Sequence, residues 1–321
     1  MFGELAVLYL FLGGAGAGAV AVGCALDLAL VRQPFGFAGG YAPNSSVQPR
    51  ARTLDFAFAL GFALLAAGVT CLMADLGRLD RVASLFLSPH PAALTVGAYA
   101  LAVLLVLSAA LALVRFLYLP DVPQAAVRAA EAAAIAIALV VMAYTGVLLQ
   151  TIGGVGFWKT PLVPALFLLS SLSCGAAAVF AAAPFAGVAD EPQLRMLKLL
   201  ARFDLAVIAL EIVIAAAFLA WAASCDHPGT AASLAVMTQG ENALAWWLGF
   251  GACGLAAPLV AELALAWRRS ARISRRALAI AAALVLAGAL CMRWAVSDSG
   301  VHRALELQEV EIAALSGAPL E

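Results

Sequence analysis

The chain of 321 residues is 65% hydrophobic and only 12% charged, and its mean hydropathy is +1.02. Since soluble domains carry about 25% charged residues, this composition excludes a soluble globular protein and predicts one embedded in a membrane. With 18 Lys and Arg residues against 19 Asp and Glu, the chain also lacks the basic excess of a nucleic-acid-binding protein.

Eight long apolar segments follow one another along the sequence. They lie near residues 4–31, 54–76, 92–118, 126–150, 161–188, 199–223, 242–267 and 277–297. Each is long enough to cross a bilayer as a helix, and too long and too uniformly apolar for a strand of a membrane barrel. The sequence therefore predicts an all-α integral membrane protein, a single domain over residues 1–321 built as an eight-transmembrane-helix bundle.

The basic residues predict how this bundle is oriented. We call side A the membrane face at which the first segment begins and side B the opposite face, so that both termini lie on side A. Of 18 basic residues, all but five fall on side B, and those on side A are Arg78, Arg81, Lys159, Arg293 and Arg303. Because basic residues mark cytoplasmic connections, side B is predicted to be cytoplasmic and both termini extracytoplasmic, in the cell membrane of a prokaryote. The cluster at 268–276 either sets this topology or binds anionic membrane lipid.

The first segment carries a run of small residues that includes Gly14 and Gly18. Glycines four residues apart lie on one helix face and allow another helix to approach closely, so we expect a packing surface here. The run does not fit the G-x-G-x-x-G fingerprint of dinucleotide-binding loops, follows no strand and lies within the bilayer.

Ligands for internal redox centres are missing from the apolar segments. The histidines, His90, His227 and His302, all fall in connections or in the C-terminal tail, and none of the six cysteines belongs to a C-x-x-C pair. A haem held between helices needs histidine or similar axial ligands, and an iron–sulfur cluster needs grouped cysteines. We therefore expect no haem and no iron–sulfur cluster in this chain, and any redox role must use the centres of another subunit.

Ionisable residues inside the apolar segments are candidates for function because each is costly to insert. Glu211 lies near the middle of the sixth segment, and Asp204 lies seven residues earlier on nearly the same helix face. The two carboxyl groups are predicted either as steps of a proton path from side B, together with Arg293, or as structural groups bonded to neighbouring helices. Four other acids lie close to side-B helix ends and are interpreted as interfacial: Asp27, Asp55, Glu131 and Glu262.

Polar side chains also converge at side A. Glu4 and Tyr9 open the first segment, Asp75 closes the second, and Tyr144 lies two turns before the outward end of the fourth. A phenol can donate a hydrogen bond to a carbonyl oxygen while its ring packs on an apolar ligand, and a nearby carboxylate can accept a proton. This combination suits a quinone headgroup, although tyrosines also concentrate at membrane interfaces for unspecific reasons.

Several motifs resemble the NrfD/PsrC family of polysulfide reductase membrane subunits. The similar stretches, in the order of the family, are YLFLGGAGAGA (9–19), ADLGR (74–78), SPHPAALTVGAY (88–99), YTGVLLQ (144–150), FWKTPLVPALFLLSSLSCGAA (157–177), FDLAVIALE (203–211), WWLGFGACGLAAPL (246–259) and LAGALCMRWAV (286–296). Two positions depart from the family pattern, with Ser88 in place of Asn and Tyr99 in place of Trp.

The resemblance implies a quinone-reactive subunit docked on its extracytoplasmic face to a ferredoxin-like iron–sulfur protein, with a molybdopterin catalytic subunit beyond it. It places Tyr144 at a tyrosine that contacts the quinone, Tyr9 at a position that is His in some members, and Asp75 at an acidic residue of the pocket. Arg293 matches an arginine of the eighth helix. The residues expected to bind quinone are Tyr9, Asp75, Tyr144, Glu4, Arg78 and His90.

The leading hypothesis is therefore a subunit that exchanges electrons between menaquinol or menaquinone and a docked iron–sulfur subunit, without acting on the terminal substrate itself. Two alternatives from other classes remain. The chain is a secondary transporter that uses Glu211, Asp204 and Arg293, although no internal repeat supports this, or a passive membrane anchor for a soluble enzyme.

Overall fold

A computed structural model describes residues 3–30, 49–76, 93–117, 122–152, 154–187, 190–225, 227–267 and 275–300. These residues form an all-helical bundle with eight helices long and apolar enough to span a membrane, which confirms the predicted fold class. We number the α-helices α1 (Glu4–Leu30), α2 (Pro49–Leu76), α3 (Ala93–Leu117), α4 (Gln124–Gln150), α5 (Leu162–Ala182), α6 (Glu191–Ser224), α7 (Pro228–Thr238), α8 (Ala257–Trp267) and α9 (Arg275–Asp298).

Two parts of the bundle differ from the sequence pattern. Helix α6 begins at Glu191, eight residues earlier than expected, because Asp190 caps it by accepting a hydrogen bond from the Gln193 amide at 2.8 Å. The charged residues of its first turns hid this start from a reading based on apolar runs. The seventh span is not a uniform α-helix either, because Ala245–Ala256 forms wider π-helical turns before α8.

Helices α1 and α5 form the centre of the bundle. In their apolar windows 78% and 72% of the residues are buried inside the protein, against 28–44% in the other spans. Helix α1 packs on α2, α4, α5 and α9, while α5 packs on α1, α4, α6 and α9. The two central helices therefore carry the side chains that can meet away from lipid.

Glycines allow α1 and α5 to touch through their backbones. A Cβ added at Gly18 would overlap the backbone of Ser171, and one added at Gly175 would overlap the Gly18 carbonyl. Only a residue without a side chain fits at this crossing, as in other close helix pairs of membrane proteins. The close packing expected from the glycine run of the first segment is confirmed.

The connection between α4 and α5 folds against the side-A end of the bundle. A short 3₁₀ turn, Gly156–Trp158, buries Phe157 and Trp158 completely, and the Trp158 indole donates a hydrogen bond to the Val296 carbonyl of α9 at 2.9 Å. The Gln150 amide donates to the Thr160 carbonyl at 2.6 Å and ties the end of α4 to the same connection. These contacts fix the side-A ends of α4, α5 and α9 next to one another.

Candidate functional site

Two tyrosines and an acid meet at the side-A end of α1. Tyr9 of α1 and Tyr144 of α4 are 5% and 8% exposed, and their phenol groups lie within interaction range of each other. The Asp75 carboxylate, in the last turn of α2, lies close enough to the Tyr9 phenol for an electrostatic interaction. It also lies beside Gly3, where an added Cβ would be 3.3 Å from Asp75 Oδ1. The structure thus brings Tyr9, Asp75 and Tyr144 together.

A glycine of α3 completes the wall behind Tyr144. A Cβ added at Gly97 would overlap three atoms of the Tyr144 ring, so the ring lies flat against the α3 backbone. This contact packs the Tyr144 ring without involving its oxygen, which lies within hydrogen-bonding range of the Tyr9 phenol. Sequence analysis did not assign Gly97, although it lies within the stretch 88–99 that carried the resemblance.

Sequence analysis also predicted Glu4, Arg78 and His90 at this site. Glu4 lies in the first turn of α1 with its side chain exposed. Arg78 and His90 lie outside the described residues. The residues that the structure brings together are therefore two buried phenols and an exposed carboxylate, a set that can orient two carbonyl or hydroxyl oxygens and exchange a proton with water.

Arg293 lies deeper in the bundle and is fully buried. It donates hydrogen bonds to the Ser171 hydroxyl at 2.7 Å, the Ser170 hydroxyl at 3.2 Å and the carbonyls of Ala289 and Phe167 at 3.1 and 3.3 Å. Its guanidinium also lies over the Phe167 ring, 5.3 Å from the centroid. A Cβ at Gly14 of α1 would come within 2.9 Å of Arg293 Nη2, so this glycine makes room for the cation.

Serines of α5 connect this arginine to the carboxyl groups of α6. The Ser170 hydroxyl faces the buried Glu211, and Ser173 donates to Asp204 Oδ2 at 3.3 Å. Asp204 in turn faces Glu262 of α8 within hydrogen-bonding range, and two carboxyl groups can share a hydrogen bond only if one of them carries a proton. The three residues expected on a proton path therefore lie in two neighbouring polar groups. Arg293 and Glu211 meet at Ser170, and Asp204 lies with Ser173 and Glu262 one turn further along α5.

A second buried cluster lies near the side-B ends of the first four helices. The Arg115 guanidinium of α3 forms ion pairs with Asp27, with Asp55 at 3.1 Å and with Glu131 at 3.5 Å, and it lies 4.4 Å from the centroid of the Phe58 ring. The side chains of Arg115 and Glu131 are 2% and 1% exposed. The interpretation of Asp27, Asp55, Glu131 and Glu262 as interfacial residues is therefore wrong.

The reason for this error is that the position of a residue in its helix gives its depth in the membrane but not the direction in which its side chain points. All four acids lie close to helix ends, but each points into the bundle, where Arg115 or Asp204 meets it. The signal that sequence analysis overlooked is that Asp27, Asp55, Arg115 and Glu131 occupy similar depths on the same side, where opposite charges can pair.

Comparisons with known proteins identify the family of this chain. The family described as polysulphide reductase, NrfD, matches residues 1–302. The protein NrfD of Escherichia coli (strain K12) is 29% identical over 174 residues, which cover 54% of this chain. The match spans about half the length of that curated relative, 53%. With a family match over nearly all of its length, the chain belongs to the polysulphide reductase NrfD family.

Proposed function

We propose that this protein is the quinone-reactive membrane subunit of a respiratory oxidoreductase, and that it oxidises menaquinol or reduces menaquinone at the pocket of Tyr9, Asp75 and Tyr144. The observation that carries this proposal is the meeting of two buried phenols and an exposed carboxylate at one end of the bundle. Family membership supports a membrane subunit of this type.

Each residue has a distinct part in this pocket. The phenols of Tyr9 and Tyr144 hold the ring oxygens of the quinone or quinol by hydrogen bonds, and the ring of Tyr144 packs flat beside Gly97. When quinol is oxidised, Asp75 accepts its two protons one after the other and passes each to water at side A, where the side chain of Asp75 is exposed. Oxidation of one quinol releases two protons and two electrons, so the electrons need an acceptor.

That acceptor is proposed to be a ferredoxin-like iron–sulfur subunit docked at side A, which relays electrons to or from a molybdopterin catalytic subunit. The pocket lies at the last turn of α2 and the first turns of α1, so a protein docked on this face comes close to the quinone. Short distances are what direct electron transfer requires, and no relay within the membrane is then needed.

Removing the hydroxyl group of Tyr144 and the charge of Asp75 tests this assignment. In the purified complex, Tyr144→Phe and Asp75→Asn are each expected to lower quinol-analogue oxidation about tenfold, because each removes one hydrogen bond or proton acceptor from the quinol. Tyr99→Phe, at an exposed tyrosine of α3, is the matched control and should retain activity.

Two results would contradict the proposal in different ways. Full activity in the Tyr144→Phe, Asp75→Asn double variant would remove the site assignment. A complex without any quinol-dependent turnover would favour the passive anchor, and solute uptake by proteoliposomes of this chain alone would favour a transporter.

We further propose that Glu211, Asp204 and Arg293 carry protons between side B and the pocket. The buried chain of Ser170, Ser173 and the facing carboxyl groups of Asp204 and Glu262 supports this role. In proteoliposomes of the complex, Glu211→Gln is expected to abolish quinol-driven proton movement and to leave quinol oxidation in detergent within about twofold, because proton transfer needs a group that ionises.

Glu191→Gln, at an exposed acid in the first turn of α6, controls for loss of one negative charge and should leave proton movement intact. Proton movement that survives in Glu211→Gln would assign the buried carboxyl groups a structural role only.

A further inference from the structure

An apolar crevice opens between α1, α4, α5 and α6 in the side-B half of the bundle. Its volume is about 350 Å³, and its walls include Val22 and Leu26 of α1, Leu139 of α4, Leu172 of α5, and Leu199 and Phe203 of α6. Within the described part of the chain, every residue that lines it is aliphatic or aromatic. A slot of this kind takes a hydrocarbon chain, since it offers no hydrogen-bonding partner.

A charged cavity, which we call the mouth, lies next to the crevice at side B and shares one lining residue with it. Its volume is about 480 Å³, the shared residue is Leu199, and it is bordered by Arg50, Glu191 and Arg195. Two guanidinium groups thus face one carboxylate. The buried Nε of Arg50 has no hydrogen-bond partner within the described part of the chain. This N–H group can therefore donate a hydrogen bond to a ligand.

The mouth also lies at two helix N-termini. Arg50 is in the first turn of α2, and Glu191 and Arg195 are in the first turns of α6. Helix N-termini carry the positive end of the helix dipole and favour anions. The charge at the mouth is therefore suited to a negative group, while the crevice above it is suited to an apolar one.

The depth of the crevice fits one leaflet of a bilayer. Arg195 and Phe203 are eight residues apart, which corresponds to about 12 Å along a helix, and one leaflet of hydrocarbon is about 15 Å thick. A lipid with its headgroup at the mouth would place one acyl chain along the crevice as far as the middle of the membrane.

We propose that this crevice is a binding site for an anionic glycerophospholipid of the side-B leaflet. Its phosphate lies between Arg50 and Arg195, and one acyl chain fills the slot between Leu26 and Phe203. A quinone is not the occupant, because its headgroup is uncharged and the tyrosine pocket lies at the opposite end of α1. The positive-inside prediction also puts this mouth in the cytoplasmic leaflet, where basic residues attract anionic lipids.

Native mass spectrometry of the full chain in detergent, titrated with phosphatidylglycerol or phosphatidylcholine, tests the proposal. The wild-type protein is expected to retain phosphatidylglycerol at about tenfold lower lipid concentration than phosphatidylcholine. The Arg50→Gln, Arg195→Gln double variant should lose this preference. The Arg52→Gln, Arg276→Gln double variant removes the same charge from exposed side-B positions that do not line the mouth and should keep it.

The slot is tested separately from the charges. Ala25→Trp places a large ring in the crevice and is expected to weaken retention of both lipids about tenfold. Ala216→Trp, at an exposed position of α6 closer to side A, is the control and should not weaken retention. Equal retention of the two lipids by the wild-type protein, unchanged preference in Arg50→Gln, Arg195→Gln, or a co-purified isoprenoid quinone displaced by Ala25→Trp would each overturn the proposal.

Discussion

Replacing Arg115 with Met is expected to destabilise the bundle more than any other single change to its charged residues. The guanidinium is the partner of Asp27, Asp55 and Glu131, and it is almost completely buried. Without it, three carboxyl groups in the bundle lose their buried ion-pair partner, and breaking a buried ion pair in this way costs about 3–5 kcal/mol. The thermal unfolding midpoint in detergent, followed by tryptophan fluorescence, is expected to fall by roughly 10 °C.

Neutralising the acids should restore much of the loss. The triple variant Arg115→Met, Asp27→Asn, Glu131→Gln neutralises two of the three carboxyl groups that lose their partner, so its midpoint is expected to lie closer to the wild-type value. Arg202→Met, at an exposed position of α6, controls for loss of a basic residue and should unfold near the wild-type temperature. A midpoint for Arg115→Met equal to that of Arg202→Met would show that the cluster contributes nothing to stability.

Gly97→Ala is expected to lower quinol oxidation by the complex about a hundredfold, more than removal of the Tyr144 hydroxyl. The added methyl group would occupy the space of the Tyr144 ring, and the ring would have to move away from α3. Displacement of a positioning group by about 1 Å can cost a hundredfold in rate. The rate with a quinol analogue and the thermal midpoint should be measured on the same preparation.

Gly13→Ala is the matched control, because a Cβ there meets only Leu101 Cδ1, at 3.9 Å. Gly13→Ala should leave both the rate of quinol oxidation and the thermal midpoint near their wild-type values. Activity that persists in Gly97→Ala would mean either that the ring moves without consequence or that Tyr144 does not hold the quinol.

The fold could be predicted from the sequence because the bilayer requires each span to be both long and apolar. What the apolar pattern missed are the parts where polar residues take part in helices. The first turns of α6 are charged and capped by Asp190, and α7 is too short to cross a membrane. The π-helical turns of Ala245–Ala256 are as apolar as an α-helical span, so the apolar pattern of the sequence could not distinguish them from one.

The site could be predicted in part. Tyr9, Asp75 and Tyr144 lie at similar depths near side A, and depth was sufficient to bring them together in one pocket. Depth alone did not tell whether a side chain turns inward, so the partners of Arg115 and the pairing of Glu262 with Asp204 were missed. Those contacts depend on helix rotation, which the backbone crossing of Gly18 and Gly175 helps to fix.

The central place of α1 has a consequence for how the protein is assembled. This helix is translated before α2, α4, α5 and α9, which enclose it, so its glycine face meets lipid or the insertion machinery until its neighbours arrive. Asp27 likewise enters the membrane before Arg115 has been synthesised. The helix at the centre of the bundle is thus completely enclosed only once α9, the last of its neighbours along the chain, has been made.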